Sequence, residues 1–210
     1  MNDLAAVRQA FAAAESLPLG QAWLPHQQTN LDPGSVRLGW QEGSLLILAE
    51  LSDQDIFTTA TKANEHLWEL GDTFEIFLRP EDQSAYWELQ VTPNNQTLQL
   101  RFCDARAVGQ LRATGNLQPY LVASSVFHSR TWASVAEGQW FAFAAVTAGA
   151  ICGELASLIG SRWQVSFGRY DFTRGESDPV ISSTSPHARL DFHRQHEWRT
   201  LQFEPGFQRK

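Results

Sequence analysis

Two acidic residues and an amide alternate along two neighbouring candidate strands, where they could hold a polar ligand. Glu75 lies in the segment Thr73–Arg79, and Glu88 and Gln90 lie in Ala85–Thr92. Side chains two residues apart on a strand point to the same face, so Glu88 and Gln90 share one face of the sheet. Carboxylate and amide groups exchange hydrogen bonds with hydroxyl groups, so this face suits a polyhydroxylated ligand such as a sugar.

Aromatic and cationic residues accompany this polar set. Trp68 precedes the first strand, Tyr86 shares the alternation of Glu88, and Arg101 lies on the next candidate strand. An aromatic ring offers an apolar platform for the C–H face of a sugar ring. The predicted ligand-binding set is therefore Trp68, Glu75, Tyr86, Glu88, Gln90 and Arg101.

A site of this kind needs a sheet with one core-facing side and one open side. A symmetric loop between the first two strands places Glu75 opposite Gln90. A two-residue turn at Asn94-Asn95 then places Glu88 opposite Arg101, in a cross-strand ion pair that contributes roughly 0.2–1 kcal/mol. This register puts the apolar residues of the three strands on the core-facing side: Phe74, Ile76, Leu78, Trp87, Leu89, Val91, Leu98, Leu100 and Phe102.

The rest of the chain predicts an all-β protein with one short helix. Residues 3–15 have helical spacing, and alternating segments separated by turn signals follow them. We expect an antiparallel β-sandwich with jelly-roll or immunoglobulin-like layers, as one domain over residues 19–210 after a helical extension at residues 1–18. A helical turn is also compatible with Gly153–Leu158. The predicted strands are Val36–Trp40, Ser44–Leu51, Thr73–Arg79, Ala85–Thr92, Thr97–Cys103, Tyr120–Arg130, Gln139–Val146, Trp163–Tyr170 and Thr200–Phe203.

Composition narrows the class of protein. The 210 residues carry a formal charge of −7, with 43% hydrophobic and 19% charged residues, as in a globular protein. The acidic balance disfavours nucleic-acid binding.

Cys103 and Cys152 match no zinc pattern or dense disulfide framework, so the sequence leaves open whether they are two separate thiols or form one bridge. No apolar run approaches the ~20 residues of a membrane helix. The N-terminus lacks a signal peptide's basic region, so the chain as written is expected to be cytoplasmic, or extracytoplasmic if a leader has been removed.

Four blocks of the sequence resemble the family 9 carbohydrate-binding modules, within the wider DOMON-like sandwich group. The resemblance covers most of residues 20–205, and the two middle blocks are its more specific part. The blocks are Ser44–Leu51 with Ser52-Asp53, the run from Trp68 to Phe77, Tyr86-x-Glu88-x-x-Val91-x-Pro93, and Trp163-x-Val165-x-Phe167-x-Arg169.

The resemblance implies a sugar site. In such modules a terminal sugar stacks between aromatic rings, and acidic, amide and arginine side chains bind its hydroxyl groups. By position, Trp68 corresponds to the first stacking tryptophan and Glu75 to the acidic residue after it. Glu88 and Gln90 fall on the strand that carries polar contacts.

Two features of this chain depart from the family pattern. Gly71 makes the spacing between Trp68 and the following glutamate one residue longer. No second tryptophan occurs in residues 181–194, where Phe192 and His187 are the rings available to replace it.

We therefore predict a non-catalytic module that binds an oligo- or polysaccharide, without a cofactor, a nucleic acid or a membrane. One alternative is a protein-interaction or scaffold sandwich that has lost the sugar site. Another is a glycoside hydrolase that uses Glu75 and Glu88. Hydrolysis needs a carboxyl group with a raised pKa, whereas a flat face beside an arginine would keep both groups ionised.

Metal binding is a minor hypothesis. Asp53 and Asp55 offer the oxygen ligands that calcium prefers, so they are candidates for a structural ion. His187, His193 and His196 lack the accompanying cysteine or carboxylate signature of a metal site, and we expect them in a solvated loop.

Overall fold

The computed structural model describes residues 3–41, 43–123, 125–153 and 158–204, and these form two antiparallel sheets of five and six strands. The predicted β-sandwich is confirmed. Along the chain the strands are β1 (Ser16–Pro18), β2 (Gly34–Gln41), β3 (Ser44–Ser52), β4 (Thr73–Pro80), β5 (Tyr86–Val91), β6 (Thr97–Phe102), β7 (Phe127–Ser134), β8 (Gln139–Thr147), β9 (Arg162–Asp171), β10 (Val180–Ser183) and β11 (Arg199–Gln202). The first sheet has the order β1-β2-β3-β8-β7. The second has the order β10-β9-β4-β5-β6, and β11 also pairs with β9.

The main hydrophobic core lies between the two sheets. From the first sheet, Ile47 and Trp140 contribute fully buried side chains to it. A core of this extent stabilises the fold without covalent staples, and Cys103 and Cys152 are both free thiols. The apolar positions of β4 and β5 alternate into this core as predicted: Phe74, Ile76, Leu78, Trp87, Leu89 and Val91.

The register of β4, β5 and β6 confirms one prediction and corrects another. Glu75 lies opposite Gln90, as predicted. Glu88, however, lies opposite Leu100 rather than opposite Arg101, because β6 is shifted by one residue against β5. The predicted Glu88–Arg101 ion pair is therefore wrong.

The turn between β5 and β6 causes this shift. The backbone hydrogen bond from Thr92 to Gln96 encloses three residues, and Asn95 has a φ of 61°. A three-residue hairpin loop commonly ends with a residue in this left-handed conformation, which asparagine tolerates. The loop is thus one residue longer than the predicted two-residue turn, and every side chain of β6 changes face.

The shift gives the second sheet two buried faces. It brings the apolar residues of β6 onto the face that carries Glu75 and Glu88, where the sequence predicts an open polar surface. Helix α2 (Ala107–Thr114) and segments after β10 cover this face. We term the resulting cluster the outer core; it comprises Ala60, Leu67, Phe77, Tyr86, Leu98, Leu100, Phe102, Ala107, Val108, Leu111, Leu117, Phe192 and Trp198.

The N-terminal segment packs on the first sheet. Helix α1 (Leu4–Ala10) begins after Asp3, whose carboxylate accepts a hydrogen bond from a backbone N–H of the first turn. Its buried residue Val7, and Phe11 directly after the helix, pack against Leu48 of β3. Strand β1 lies inside the predicted extension and pairs with β2, so residues 3–18 form part of the sandwich.

Several other elements differ from the sequence-based predictions. Helix α2 and strands β1 and β10 were not predicted, and residues 120–126 precede β7 rather than opening it. Helix α3 spans Ala148–Cys152, while most of the helical turn considered at Gly153–Leu158 lies outside the described residues. Among the described residues, no helix is both long and apolar enough to cross a membrane.

The register of β6 predicts a sharp contrast between two adjacent residues. Leu100→Ala should lower the free energy of unfolding by about 2–4 kcal/mol, because it leaves a void in the outer core. Arg101→Ala, the matched control on the exposed side of β6, should change it by less than about 1 kcal/mol. Urea unfolding of both variants measures this contrast, and equal destabilisation would contradict the register.

Candidate functional site

A cavity of about 320 Å³ remains on the outer face of the second sheet. The turn Leu67–Glu69, helix α2 and residues 184–198, which we term the cover loop, form its walls. Its volume falls within the range of small-molecule sites. The lining residues are His66, Trp68, Glu69, Glu75, Glu88, Val108, Leu111, Arg112, Gly115, Tyr170, Leu190, Asp191, Phe192 and His193.

Glu75 and Glu88, which we term the carboxylate pair, lie on neighbouring strands at the floor of the cavity. The side-chain amide of Gln90 donates to both, at 2.8 Å to Glu75 Oε1 and 2.5 Å to Glu88 Oε1. Glu75 is 3% exposed and Glu88 is 5% exposed. Among the described residues, no lysine or arginine forms an ion pair with either carboxylate, so a ligand meets two acceptors without a counter-charge.

Burial changes the protonation of the carboxylate pair. Desolvation, followed by the proximity of Glu88, raises the pKa of Glu75 well above its usual value. Desolvation also raises the pKa of Glu88 to about 7, against the opposing effect of the Gln90 hydrogen bond. Two like charges this close are not both ionised at neutral pH, so the free pair holds a proton.

His193 links the cover loop to this floor. Its Nδ1 lies 2.8 Å from the Tyr86 hydroxyl, and its Nε2 lies 3.6 Å from Glu88 Oε2. Burial lowers the pKa of His193 to about 3, so the ring is neutral. When Nδ1 accepts the hydrogen bond from Tyr86, Nε2 carries the proton and faces the carboxylate pair.

Trp68 stands half-buried at the rim of the cavity. Its ring lies 4.9 Å from that of His66, and the preceding Leu67 anchors the turn in the outer core. The chain then passes so close to residues 57–58 that a Cβ at Gly71 would lie 2.6 Å from a backbone oxygen, and Gly71 has a φ of 134°. The extra residue in this spacing is therefore a glycine for steric and conformational reasons.

Packing and ion pairs hold the cover loop in place. The Phe192 ring lies on Gly168 of β9, where a Cβ would approach the ring to 2.5 Å. Arg194 donates two hydrogen bonds to Glu197, at 2.8 and 2.6 Å, and Glu197 also lies 3.1 Å from His187 Nδ1. Phe192 thus lines the cavity, whereas the other ring suggested by the sequence, His187, is fully buried beneath the loop.

In the same network a serine contacts a histidine, and the histidine contacts a glutamate, as in a hydrolase triad. Ser166 Oγ lies 3.5 Å from His187 Nε2, and Glu197 contacts the other ring nitrogen. Ser166 and His187 are both fully buried, so no substrate reaches the hydroxyl. We interpret the network as an anchor for the cover loop.

An ion pair joins the two upper walls of the cavity. Arg112 of α2 donates to Asp191 of the cover loop at 2.8 Å. This contact sets the separation of the helix from the loop, and it commits the cation to a partner other than the carboxylate pair.

Comparison of the structure with solved structures gives consistent matches. A candidate carbohydrate-binding protein from Bacteroides uniformis aligns with a TM-score of 0.71 and 17% identity, over 96% of this chain and 91% of that one. A family 9 module from Caldicellulosiruptor kristjanssonii in complex with cellotriose gives 0.61 and 14%, over 93% and 85%. The same kind of module in complex with glucose gives 0.65 and 12%, over 95% and 89%. No protein-family profile and no curated protein matches the chain.

The chain has the fold of a family 9 carbohydrate-binding module. At these identities the likeness concerns the fold, and the site has to be judged on its own residues. Within this family 9 fold, five of the six predicted site residues come together: Trp68, Glu75 and Glu88 line the cavity, and Tyr86 and Gln90 support it from behind.

Arg101 is the exception. It is exposed on the opposite face of the second sheet, with its guanidinium 5.4 Å from the centroid of the Trp87 ring. The one-residue shift of β6 places it outside this cavity, away from the other five predicted residues.

Six polar or aromatic residues of the cavity were missed as ligand-binding candidates: His66, Glu69, Arg112, Tyr170, Asp191 and His193. Tyr170 lies two residues after Gly168, which is paired with Glu75, so the alternation of β9 places Tyr170 on the cavity side of the sheet. This residue could have been inferred from the sequence. His193 was expected in a solvated loop, and this expectation is wrong because the cover loop folds back onto the sheet.

The residues proposed for calcium do not act together in this family 9 fold. Asp55 is bonded to the backbone and guanidinium of Arg174. Asp53 instead lies with Asp72 and Asp171, and one ligand atom from each falls within 4.8 Å of the others. The guanidinium of Arg169 lies 3.2 Å from Asp53 and 3.0 Å from Asp171, where a cation would need to bind. The three-aspartate cluster does not fit a calcium ion, because this guanidinium occupies the place of the cation. Calcium binding by Asp53 and Asp55 stays a prediction.

The buried His193 predicts a specific pH dependence of stability. Below pH 6.5 the unfolded chain binds a proton at this histidine, whereas the folded protein does so only near pH 3. The contribution of His193 therefore lowers stability as the pH falls from 6.5 towards 3, by up to about 1.4 kcal/mol per pH unit, whereas the raised pKa values of Glu75 and Glu88 act in the opposite direction. Relative to the wild type, His193→Gln should gain stability in urea unfolding as the pH is lowered from 6.5 to 4.5, because the variant lacks this contribution.

The exposed His196 provides the matched control, because His196→Gln should keep the wild-type pH dependence. An unchanged slope in His193→Gln would show that the folded protein protonates His193 freely and that the ring is not buried against the carboxylate pair.

Proposed function

We propose that this protein binds carbohydrate in the cavity beside Trp68, without catalysing its hydrolysis. The observation that carries the proposal is the combination of a half-buried tryptophan ring with two buried carboxyl groups in one cavity of about 320 Å³. The ligand is a sugar residue of an oligo- or polysaccharide. The function requires no cofactor, nucleic acid or membrane.

The chemistry of the cavity suits a pyranose ring. The Trp68 face would take the apolar C–H side of the ring, which gains free energy by leaving water. Glu75 and Glu88 each keep one oxygen that Gln90 does not bond, so both can exchange hydrogen bonds with sugar hydroxyls, and the proton that the pair holds can be donated to one of them. Because these acceptors are already fixed by the amide, little side-chain ordering accompanies binding.

The likeness to solved structures supports the same class of ligand. Two of the matching family 9 modules are in complex with cellotriose and glucose. This chain differs from them at more than four-fifths of the aligned positions, so the sugar specificity has to be determined for this chain.

The position of the carboxylate pair argues against hydrolysis. Hydrolases place two carboxyl groups on either side of the scissile bond, so that one protonates the leaving oxygen while the other acts at the anomeric carbon. Here both groups lie on one floor and share a single amide donor, Gln90. They therefore meet a ligand from the same side. The sequence-based expectation that both groups stay ionised is wrong, because burial raises the pKa of each.

The cavity also favours a ligand-binding protein over a scaffold sandwich. A scaffold domain that had lost its ligand would be expected to fill the outer face completely. Most of this face is filled by the outer core, but the region around the carboxylate pair is left open. Burying Glu75 and Glu88 at the floor of this open region costs free energy, and hydrogen bonds to a ligand would offset that cost.

Calorimetric titration with a sugar panel tests the proposal, starting from glucose, cellobiose and cellotriose. We expect saturable binding to the wild type, weakened about tenfold or more in Trp68→Ala because the stacking surface is lost. Trp132→Ala serves as the matched control, since Trp132 is equally half-buried but lies on the outer face of the first sheet.

A folded protein that binds no member of a broad panel would overturn the proposal and favour the scaffold role. Equal affinity of the two tryptophan variants would move the site away from this cavity. Release of new reducing ends during long incubation with oligosaccharides would instead indicate a hydrolase.

A further inference from the structure

The carboxylate pair offers more negative charge than a neutral sugar compensates. Glu75 and Glu88 are both more than nine-tenths buried, and one amide serves one oxygen of each. Among the described residues, the other oxygen of Glu75 has no hydrogen-bond partner. The other oxygen of Glu88 has only the neutral ring of His193, at 3.6 Å. Two oxygen atoms, and the one negative charge that the pair carries when it holds a single proton, are therefore left to the ligand.

We propose that the cavity prefers sugars that carry a protonated amine, and that this ammonium group binds between Glu75 and Glu88. The inference rests on the proposed function and names its substrate class, the amino sugars. It is specific to the pair and to Gln90, which fixes both carboxylates on one side of the ligand.

An ammonium group matches the pair better than a hydroxyl group does. It has three N–H donors, so one group reaches both carboxylates, whereas a hydroxyl has one donor and satisfies one. Hydrogen bonds between ionised partners are also roughly twice as strong as neutral ones. Since water is largely excluded from the floor of the cavity, the attraction is screened less than at the surface.

The surrounding groups compensate the charge of the pair only in part, because Arg112 lowers the pKa of Glu88 by less than burial raises it. Arg112 is the only arginine or lysine among the described residues that line the cavity, and it is bonded to Asp191 at 2.8 Å. Glu69 at the rim adds further negative charge. The titratable and charged groups that face the pair from the neighbouring elements are His66, Glu69, Tyr86, Arg112, Tyr170, Asp191 and His193.

Proton release accompanies this mode of binding. The free pair holds a proton at neutral pH, and a bound ammonium favours the ionised form of both carboxylates. That proton passes to the buffer, while the amine keeps its own. Affinity should therefore rise with pH until the free amine itself begins to lose its proton.

Three disaccharides with the same β-1,4 gluco backbone test the inference. Cellobiose has a hydroxyl at C2, N,N′-diacetylchitobiose has an acetamide, and the fully deacetylated chitobiose has an amine. Titration at pH 6.5 in 0.3 M NaCl should give roughly tenfold tighter binding of the amine than of either neutral sugar. Titration in buffers of different ionisation enthalpy should show proton release with the amine alone.

Variants separate the pair from general attraction to an acidic protein. Glu88→Gln and Glu75→Gln, each checked for folding by NMR, should lower the ratio of amine to neutral affinity towards one. Glu176→Gln removes an exposed carboxylate that does not line the cavity, and it should keep the wild-type ratio.

The outcomes distinguish this inference from the proposed function. Comparable affinity for all three disaccharides would overturn the amine preference while leaving carbohydrate binding intact. Absence of binding by all three, and by the wider sugar panel, would overturn the proposed function and the inference with it. An amine preference that survives both glutamate variants would also overturn the assignment to this pair.

Discussion

Burying two carboxyl groups on one face of a sheet is the constraint on which the rest of this structure depends. Removing Glu75 and Glu88 from water is unfavourable unless hydrogen bonds or protonation compensate. Gln90 donates one hydrogen bond to each. It lies two residues after Glu88 on the same strand and therefore on the same face of the sheet. The outer core packs around them, and both side chains are buried. Two elements, helix α2 and the cover loop, therefore enclose a polar floor that a simple two-layer sandwich would leave open.

The inner half of the fold was predictable because its signal is local. Alternation along β4 and β5 defines the core-facing residues, and a symmetric connection is enough to pair Glu75 with Gln90. The second hairpin shows where such reasoning fails. Asparagine is equally suited to two-residue and three-residue loops, so Asn94-Asn95 does not determine the count. One residue of loop length decided whether Arg101 belonged to the site.

The covering elements were harder to predict because nothing near them in sequence requires them. Helix α2 is short, and its few apolar residues become meaningful only once the outer face is known to be apolar at Leu98 and Leu100. Asp191 and Arg112 lie far apart along the chain and meet only across the cavity. The same is true of His193, whose neutrality follows from burial rather than from its neighbours in sequence.

Each wall of the cavity is inserted at a different connection of the second sheet. The turn with Trp68 precedes β4, helix α2 follows β6, and the cover loop joins β10 to β11. None of these insertions contributes a strand to the hydrogen-bonded ladder. Lengthening or replacing one of them would reshape a single wall while the sheet, the carboxylate floor and the inner core kept their register. Evolution could thus change the preferred ligand of this architecture one connection at a time, and related chains would diverge fastest there.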